Sequence, residues 1–326
     1  MNRSAVPPPV TAVMDVASSW LPERMNEVER RLGEVASGHG PELGGDAEAT
    51  LAAGGKRLRP LLVLICAGSG APERAIRAAT ATELIHMATL VHDDVLDGAP
   101  VRRGRPTVVA RSGRERAVGV GDLLLSRAFA ELSVNGADAE VVELSSAAVA
   151  LAQGELAQRR DTGDTSISEE RYLYRCSLKT ARLFESACRV GRLSSGASGA
   201  EDLAGFGREI GLAFQLLDDV LDVTGPPEIT GKARGTDLLD GTVTLPLILA
   251  LRRDPDLAGA PLAELDPAQA EALCDRIAAT GVLEEVRDRA RSGIEDAKRR
   301  LDSEHFSDEE RNLLSLIADG VVERYA

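Results

Sequence analysis

The sequence predicts an all-α protein. Apolar residues recur at three- and four-residue spacing, strand-like alternation is scarce, and breaks rich in glycine or proline separate the periodic segments. The periodic segments are 13–32, 75–91, 141–156, 172–193, 203–221 and 268–301. The breaks fall at 38–41, 68–72, 98–106, 161–168, 225–241 and 254–267. Many of the residues are small, which lets helices approach closely, so we expect a single-domain bundle of roughly ten or more helices.

The N-terminal segment lacks a long apolar stretch. Residues 7–9 are prolines, and no continuous apolar core precedes Asp15, so we expect neither a signal peptide nor a membrane anchor. We expect residues 1–20 to form a loose leader and residues 21–326 to form one domain. The longest apolar run elsewhere, 61–67, is far shorter than the roughly 20 residues that span a bilayer. We therefore expect no transmembrane segment.

Composition excludes some functions. The 326 residues carry a formal net charge of −14, which disfavours a nucleic-acid backbone as a partner. The four cysteines show neither metal-ligand spacing nor the density of a disulfide scaffold. They lie at Cys66, Cys176, Cys188 and Cys274. Free thiols in a reducing cytoplasm are the expected state.

The most informative feature is an acidic pentapeptide, DDVLD, that occurs at 93–97 and again at 218–222. Each copy follows an apolar helical segment, and residues four apart on a helix share a face. One copy alone would be typical of a solvated helix surface, but two copies after apolar segments favour a site where both bind a cation. Clustered carboxylates without cysteine or histidine suit Mg2+, which binds through one or two carboxylates plus substrate phosphates. The predicted metal ligands are Asp93, Asp94, Asp97, Asp218, Asp219 and Asp222.

Two basic segments predict anion binding. Segment 54–60 reads GGKRLRP, in which the glycines allow close backbone approach and Lys56 and Arg59 can converge on one anion. Segment 102–106 reads RRGRP and lies a few residues past Asp97. Arginine forks bind phosphate oxygens well, and two such clusters indicate two anionic substrates.

Together these motifs resemble those of the trans-isoprenyl diphosphate synthases, the polyprenyl synthetase family. The matching motifs are 54–60, 93–97 with 102–104, Lys179-Thr180, Phe214-Gln215 with 218–222, and Gly231-Lys232, in the family's order over about residues 50–250. The resemblance implies an all-α fold around a central cavity and head-to-tail condensation of isopentenyl diphosphate with an allylic diphosphate. It also implies three Mg2+ ions between the acidic motifs, and a homodimer.

The resemblance assigns roles to individual residues. Isopentenyl diphosphate would be bound by Lys56, Arg59, His86 and Arg103. The allylic diphosphate would be bound by Arg102, Lys179 and Lys232. Thr180 and Gln215 would turn polar oxygens toward the allylic cation, close to Lys179. A lone histidine on an apolar helix is equally typical of a packed core residue, so His86 has two interpretations.

One position departs from the family pattern. Segment 241–246 reads GTVTLP, with Thr242 where many members of the family have lysine. A cation expected near the phosphates is missing there, and the variant resembles heptaprenyl-type synthases. We expect segment 225–241 to close over the site as a lid, with weaker contacts and retained activity.

Two other functions fit parts of the pattern. A class I terpene cyclase also ionises an allylic diphosphate, but only 3% of the residues are aromatic, and cyclases guide cations with aromatic walls. A non-catalytic helical subunit of a partner synthase is the other alternative, which the intact acidic and basic motifs disfavour. Ala88, five residues before Asp93, lies where an aromatic residue would stop chain growth in this family. We therefore expect a long product, of heptaprenyl to decaprenyl length.

Overall fold

The computed structural model describes residues 8–225, 234–259, 262 and 265–323, and over these the chain is almost entirely helical, which confirms the predicted all-α class. The helices are α1 (Pro8–Val16), α2 (Leu21–Ala36), α3 (Gly40–Ala52), α4 (Leu58–Ala67), α5 (Pro72–Asp97), α6 (Val108–Ser112), α7 (Arg114–Ser133), α8 (Asp138–Arg160), α9 (Glu169–Cys176), α10 (Arg182–Ser195), α11 (Ala200–Thr224), α12 (Thr236–Leu239), α13 (Leu245–Arg253), α14 (Pro267–Ala279), α15 (Val282–Arg299) and α16 (Asp308–Glu323). A π-helical turn, Ser177–Ala181, joins α9 to α10, and a 3-10 turn, Pro255–Gly259, follows α13. The two-residue strands β1 (Val101–Arg102) and β2 (Arg105–Pro106) pair antiparallel.

Three predicted helices lie inside observed ones. Segments 75–91, 141–156 and 203–221 fall within α5, α8 and α11, each of which extends a few residues further at both ends. Segments 13–32 and 268–301, predicted as single helices, are each two helices. The second breaks at Gly281, whose φ of 75° is left-handed and begins α15. Periodicity alone misses such a break because the apolar spacing continues across it.

The expected leader is partly packed. Residues 8–16 form α1, which packs against α16, and Val13 and Ala17 are buried in the core. The expectation of a loose segment therefore does not hold for residues 8–20, because apolar residues at helical spacing give this segment a face to bury. Residues 1–7 lie outside the described part of the chain.

Helices α5, α10 and α11 form the centre of the molecule. Helix α5 packs against α2, α4, α7 and α10, and α11 packs against α10 and α15. The buried residues of α5 therefore lie around its whole circumference instead of along one face. This burial positions the C-terminal halves of α5 and α11 inside the bundle, and their acidic motifs lie at the ends of these two helices. No described helix combines the length and the apolar character needed to cross a lipid bilayer.

Candidate active site

Both acidic motifs lie at the C-terminal ends of helices. Asp93, Asp94 and Asp97 end α5 just before the left-handed Gly98, and residues 218–222 occupy the last turns of α11. A helix carries partial negative charge at its C-terminus, so these carboxylates are disfavoured by the helix dipole as well as by one another. Neither last turn contains a basic residue. A bound cation would relieve both sources of repulsion.

The three acids of the first motif have different surroundings. Asp94 is buried and accepts a hydrogen bond from Arg102 Nε at 2.7 Å. Asp97 is exposed and pairs with Arg159 Nη2 at 2.7 Å. Asp93 lines a cavity between α5, α8, α10 and α11, which we call the central cavity. The β1–β2 turn folds the basic segment back onto α5, so the adjacency of acids and arginines predicted from the sequence is present at Asp94.

The central cavity has a volume of about 560 Å3 and gathers residues that the sequence predicted separately. The predicted site residues on its wall are Arg59, His86, Asp93, Lys179, Thr180 and Gln215. Most of the remaining wall is apolar and includes Ala88, Leu125, Leu151, Leu183 and Phe214. A few polar groups on a largely apolar wall suit a ligand that has a charged group and a hydrocarbon body.

Asp93 carries a charge that the protein compensates only in part. Burial raises the pKa of its carboxyl group to about 6, the Lys179 ammonium opposes the rise, and the Glu155 carboxylate adds to it. Lys179 Nζ lies 2.5 Å from Glu155 Oε2, and Arg159 Nε donates to the other oxygen of Glu155 at 3.1 Å. The Lys179 ammonium is therefore largely neutralised by the Glu155 carboxylate. A bound cation would neutralise the remaining negative charge of Asp93.

The π-helical turn places Lys179 and Thr180. Such turns are rare and occur frequently at functional sites. Two glycines on neighbouring helices hold it. A Cβ atom at Gly154 in α8 would lie 2.6 Å from the Lys179 backbone nitrogen, and one at Gly211 in α11 would lie 2.6 Å from Ala181 Cα. The turn therefore packs backbone against backbone between α8 and α11, which fixes where Lys179 enters the cavity.

Gly154→Ala tests this placement. Because the new methyl group meets backbone atoms that cannot rotate away, we expect the turn to shift, with a loss of stability of roughly 1–3 kcal/mol and a fall in kcat of about tenfold or more. Gly33→Ala is the matched control, since a Cβ atom at this helical glycine in α2 meets nothing within 4 Å. Steady-state kinetics and thermal unfolding measure both effects. A Gly154→Ala enzyme with the wild-type kcat would contradict the assigned role of the turn.

The second motif is held by a chain of hydrogen bonds. Tyr172 Oη donates to Asp219 Oδ2 at 2.6 Å, and Gln215 Nε2 donates to Asp219 Oδ1 at 2.7 Å. Thr180 Oγ1 in turn donates to Gln215 Oε1 at 2.6 Å. Burial raises the pKa of Asp219 to about 7, while the Tyr172 and Gln215 hydrogen bonds oppose the rise and Asp218 adds to it. The π turn and the second acidic motif thus form one connected network.

The other predicted residues lie away from the central cavity or outside the described part of the chain. Asp222 is buried and accepts a hydrogen bond from the backbone N–H of Asp237 at 3.1 Å, which holds α12 to the end of α11. Asp218 is half-buried and Lys56 is exposed, and neither lines the central cavity. Lys232 lies outside the described residues, as do residues 226–233 of the segment 225–241 expected to form a lid.

The basic segment 54–60 contains two arginines with different surroundings. Arg57 is buried, its Nη1 lies 2.8 Å from Glu83 Oε1, and its Nε lies 2.6 Å from Glu29 Oε1. Arg59 instead lines the central cavity, where its guanidinium stacks 4.4 Å from the centre of the Phe184 ring and its Nε has no hydrogen-bond partner. Arg57 therefore ties the segment to the bundle, whereas Arg59 is available to a ligand.

His86 lies among cations. Burial lowers its pKa well below the usual value, and Arg59, Arg103, Arg102 and Arg57 lower it further. Burial likewise lowers the pKa of Arg59 to about 10. His86 is therefore neutral at physiological pH, with one ring nitrogen able to donate a hydrogen bond. His86 lines both the central cavity and a second cavity, so its side chain is accessible to a ligand.

That second cavity, the basic cavity, is lined by Gly54, His86, Asp94, Arg102 and Arg103, among others. Arg103 has a left-handed backbone, with φ of 53°, and its Nη1 donates to the Gly54 carbonyl. This contact closes the two basic segments on each other. Since His86 belongs to both cavities, an anion in the basic cavity would lie next to the contents of the central one.

Some residues of the site were not predicted. Glu155 and Arg159 partner the predicted acids and Lys179, and Tyr172 supports Asp219. Spacing along the chain could not identify them because each contacts a residue on another helix. Gly154 did carry a signal, since a glycine inside a predicted helix indicates a close approach of another backbone.

The donor set fits Mg2+ held together with a substrate. Within the described residues, no three acidic, histidine or cysteine side chains converge so as to hold a metal ion by themselves. The oxygen ligands are nevertheless those that Mg2+ prefers, at helix ends that disfavour their charge, and burial has raised the pKa of Asp93 and Asp219. Mg2+ commonly binds through one or two carboxylates plus phosphate oxygens, and this arrangement matches that mode.

Comparison with known proteins agrees with this geometry. Residues 41–272 match the family model described as polyprenyl synthetase. The chain is 40% identical to heptaprenyl diphosphate synthase component 2 of Geobacillus stearothermophilus over 273 residues, 82% of this chain and 85% of the relative. It is 38% identical to geranylgeranyl diphosphate synthase of Methanosarcina mazei over 283 residues, 83% of this chain and 86% of the relative. A crystal structure of a polyprenyl synthase from Caulobacter crescentus, complexed with calcium and isoprenyl diphosphate, superposes with a TM-score of 0.90 at 33% identity, over 97% of this chain and 98% of that one.

The fold and the site define an all-α protein with a mostly apolar central cavity whose wall carries a few charged and polar side chains. The chain belongs to the polyprenyl synthetase family. The predicted enzyme class, a prenyltransferase that makes polyprenyl diphosphates, is confirmed by these relatives.

Proposed function

We propose that this chain condenses isopentenyl diphosphate head-to-tail with an allylic diphosphate to give a long-chain polyprenyl diphosphate. One observation carries the proposal: four separate motifs each contribute a charged or polar side chain to a single cavity of about 560 Å3 whose remaining wall is mostly apolar, namely Arg59, Asp93, Lys179 with Thr180, and Gln215. The adjoining basic cavity offers a place for the second diphosphate.

Different side chains bind the two substrates. Arg59, Arg103 and His86 bind the diphosphate of isopentenyl diphosphate, and Lys56 adds a surface charge at the same segment. Arg102 and Lys179 bind the allylic diphosphate, to which Lys232 contributes. In this division Arg102 exchanges part of its contact with Asp94, and Lys179 part of its contact with Glu155, for phosphate oxygens.

The reaction follows from where the charges lie. As the allylic C–O bond breaks, negative charge grows on the departing diphosphate and is stabilised by Lys179 and Arg102. The Thr180 hydroxyl and the Gln215 amide line the same cavity and turn oxygen atoms toward the allylic cation. The double bond of isopentenyl diphosphate attacks this cation, and loss of a proton to the released diphosphate restores an alkene. No side-chain nucleophile is required.

We propose that three Mg2+ ions bind between the acidic motifs when the diphosphate is present. Bound Mg2+ neutralises phosphate oxygens and so assists departure of the diphosphate. The ligands we assign are Asp93, Asp94 and Asp97 on α5 and Asp218, Asp219 and Asp222 on α11. Arg102 orients Asp94.

We propose that the product is long. Ala88 lines the central cavity one turn before Asp93, and the small side chain leaves the cavity open along Leu125 and Leu151. The relatives include both heptaprenyl and geranylgeranyl diphosphate synthases, so membership in the family does not fix the length. The absence of a bulky residue at position 88 favours the longer product.

Ala88→Phe tests the product length. A phenyl ring at this point blocks the cavity, so we expect shorter products with the first condensation retained. If Ala88 is small only so that helices can pack, overpacking would instead cost roughly 1–3 kcal/mol and lower activity without changing the product. Chromatographic sizing of products, together with thermal unfolding, separates the two. An unchanged product distribution from a well-folded variant would exclude a growing chain beside residue 88.

We also propose a homodimer in the cytoplasm. Val142, Val149 and Leu156 follow one another at seven-residue spacing on α8 and are 67%, 57% and 55% exposed. An apolar stripe of this kind is typical of a surface that packs against another helix. Leu156 also lines the central cavity, so the stripe adjoins the site. Light scattering during size-exclusion chromatography measures the mass of the assembly.

The buried free cysteines support the cytoplasmic location, because they fit a reducing compartment.

The proposal is tested by following diphosphate release from the purified chain. A synthase needs both substrates, so release should require isopentenyl diphosphate, an allylic diphosphate and Mg2+ together. Release from the allylic diphosphate alone would favour a terpene cyclase. Absence of release by the pure chain, restored by a second polypeptide, would favour a subunit that depends on a partner. The Geobacillus relative is named as component 2 of a heptaprenyl diphosphate synthase.

A further inference from the structure

A third cavity, which we call the threonine cavity, adjoins the central one on the side of the second acidic motif. It has a volume of about 150 Å3 and shares Lys179, Thr180 and Gln215 with the central cavity. Its other wall contains Arg175, Thr242 and Thr244. Asp219 also lines it, so this space lies directly beside the acids and the lysine to which the allylic diphosphate has been assigned.

Arg175 is an unusual member of this wall because it is a buried cation with incomplete hydrogen bonding. Its side chain is 3% exposed. Nη2 donates to the Val243 carbonyl, and the guanidinium lies 5.4 Å from the centre of the Tyr172 ring. Nη1 has no hydrogen-bond partner, and its nearest carboxylate oxygen, Asp161 Oδ2, is 3.7 Å away, beyond hydrogen-bond distance.

The charge of Arg175 is also incompletely neutralised. Asp161 already accepts hydrogen bonds from Arg171, with Nε at 3.0 Å from Oδ2 and Nη2 at 3.1 Å from Oδ1. One carboxylate therefore serves two arginines, which leaves about one positive charge in excess. A buried guanidinium that lacks full pairing and hydrogen bonding is costly unless an anion completes its surroundings.

The segment that accepts the Arg175 hydrogen bond supplies hydroxyl groups and no cation to the threonine cavity. Thr242 and Thr244 line the cavity, and the backbone N–H of Thr242 is used by the Asp237 carbonyl at 2.7 Å. Position 242 is the place where a lysine was expected near the phosphates. The cation on this side of the threonine cavity thus comes from Arg175 on α9, one turn before Lys179, and not from the segment after Gly241.

We propose that Arg175 is a further substrate-binding residue, which contacts the diphosphate of the allylic substrate through Nη1 with help from the Thr242 hydroxyl. The inference rests on the proposed function and adds to it one specific residue. Arg175 and Lys179 would then bind phosphate oxygens from one wall of the cavity, in a place where Thr242 contributes only a hydroxyl group. Its carbonyl contact with Val243 keeps the guanidinium aimed at the cavity before the substrate arrives.

The test compares Arg175→Met with Arg171→Met. Both variants remove one positive charge from α9 and one partner of Asp161, but only Arg175 lines the cavity. We expect Arg175→Met to raise the KM for the allylic diphosphate by about 10- to 100-fold with little change in the KM for isopentenyl diphosphate. We expect the affinity for inorganic diphosphate with Mg2+, measured by calorimetry, to fall in parallel. Arg171→Met should change neither quantity more than about twofold.

A second substitution separates binding from structural support. Adding Thr242→Lys to Arg175→Met places a cation in the threonine cavity. We expect this double variant to recover most of the lost affinity for diphosphate. A purely structural Arg175 predicts a lower Tm, equal effects on both substrates and no recovery by the lysine, and any of these kinetic results would overturn the assignment. If Arg175→Met does not fold, Arg175→Lys with and without Thr242→Lys gives the same comparison. An inactive wild-type chain that binds no diphosphate would instead contradict the proposed function itself.

Discussion

We expect Asp93→Asn and Asp219→Asn each to lower kcat by about two to three orders of magnitude, with the helical fold retained. Both carboxylates line cavities that also contain Lys179, and both lie at helix ends that disfavour their negative charge. Asparagine keeps the size and removes the charge, so it removes the attraction for a cation. Asp308→Asn, at a fully exposed site, is the control and keeps full activity.

Asp93→Asn should lower kcat without lowering the stability of the ligand-free protein. Burial raises the pKa of Asp93 to about 6, above the ordinary value of about 3.9 expected in the unfolded chain. The folded protein therefore binds a proton that the unfolded chain releases, so stability falls as pH rises from about 4 to about 6 and stays lower above that range. We expect the Tm of Asp93→Asn at pH 7 to equal or exceed the wild-type Tm.

Rate and Tm measured on the same preparations check both effects. Full activity of Asp93→Asn or Asp219→Asn at limiting Mg2+ would remove the model of ions shared by the two motifs. A loss of activity that accompanies a lower Tm would mean that these acids support the fold instead.

Arg57→Met and Arg59→Met, two residues apart, should fail in different ways. Arg57 is a buried partner of Glu29 and Glu83, so its loss leaves the buried Glu83 without its ion-pair partner. We expect a loss of about 3–5 kcal/mol in the free energy of unfolding. Arg59 has no comparable ion pair and lines the central cavity, so we expect Arg59→Met to stay folded and to raise the KM for isopentenyl diphosphate by about 10-fold or more.

Denaturant unfolding and steady-state kinetics distinguish these outcomes. The two variants make the same chemical change at neighbouring positions, so each is the control for the other. If Arg59→Met were as unstable as Arg57→Met, or raised only the KM for the allylic diphosphate, the assignment of segment 54–60 would be wrong.

The helices that the sequence predicted well are those with uninterrupted three- and four-residue spacing. Helices α5, α8 and α11 fall where their apolar residues place them, because burial in a bundle follows that spacing. Helix α7 was not predicted, since Gly119, Gly121 and several charged residues interrupt its pattern, although Ala117, Val120 and Leu124 are fully buried. The π turn at 177–181 was equally invisible, because it depends on the close approach of Gly154 and Gly211 from other helices.

In the candidate site, too, the sequence predicted the local motifs and not the contacts between distant residues. The acidic and basic motifs stand out because their charges are concentrated within a few residues. Their partners do not stand out: Tyr172 is 47 residues from Asp219, and Arg159 is 62 residues from Asp97. Arg57 and Arg59 look alike in the sequence, and only the positions of Glu29 and Glu83 assign one to the fold and the other to the cavity. Contacts between distant helices determine these roles, and local spacing does not encode them.

Product sizing tests the central claim most directly. The purified chain alone is incubated with Mg2+, labelled isopentenyl diphosphate and farnesyl or geranylgeranyl diphosphate, and the dephosphorylated products are separated by chain length. The open wall beside Ala88 predicts linear polyprenyl products of heptaprenyl length or longer, formed only when both substrates are present. Cyclic hydrocarbons, products that stop after one condensation, or no product from the pure chain would contradict it.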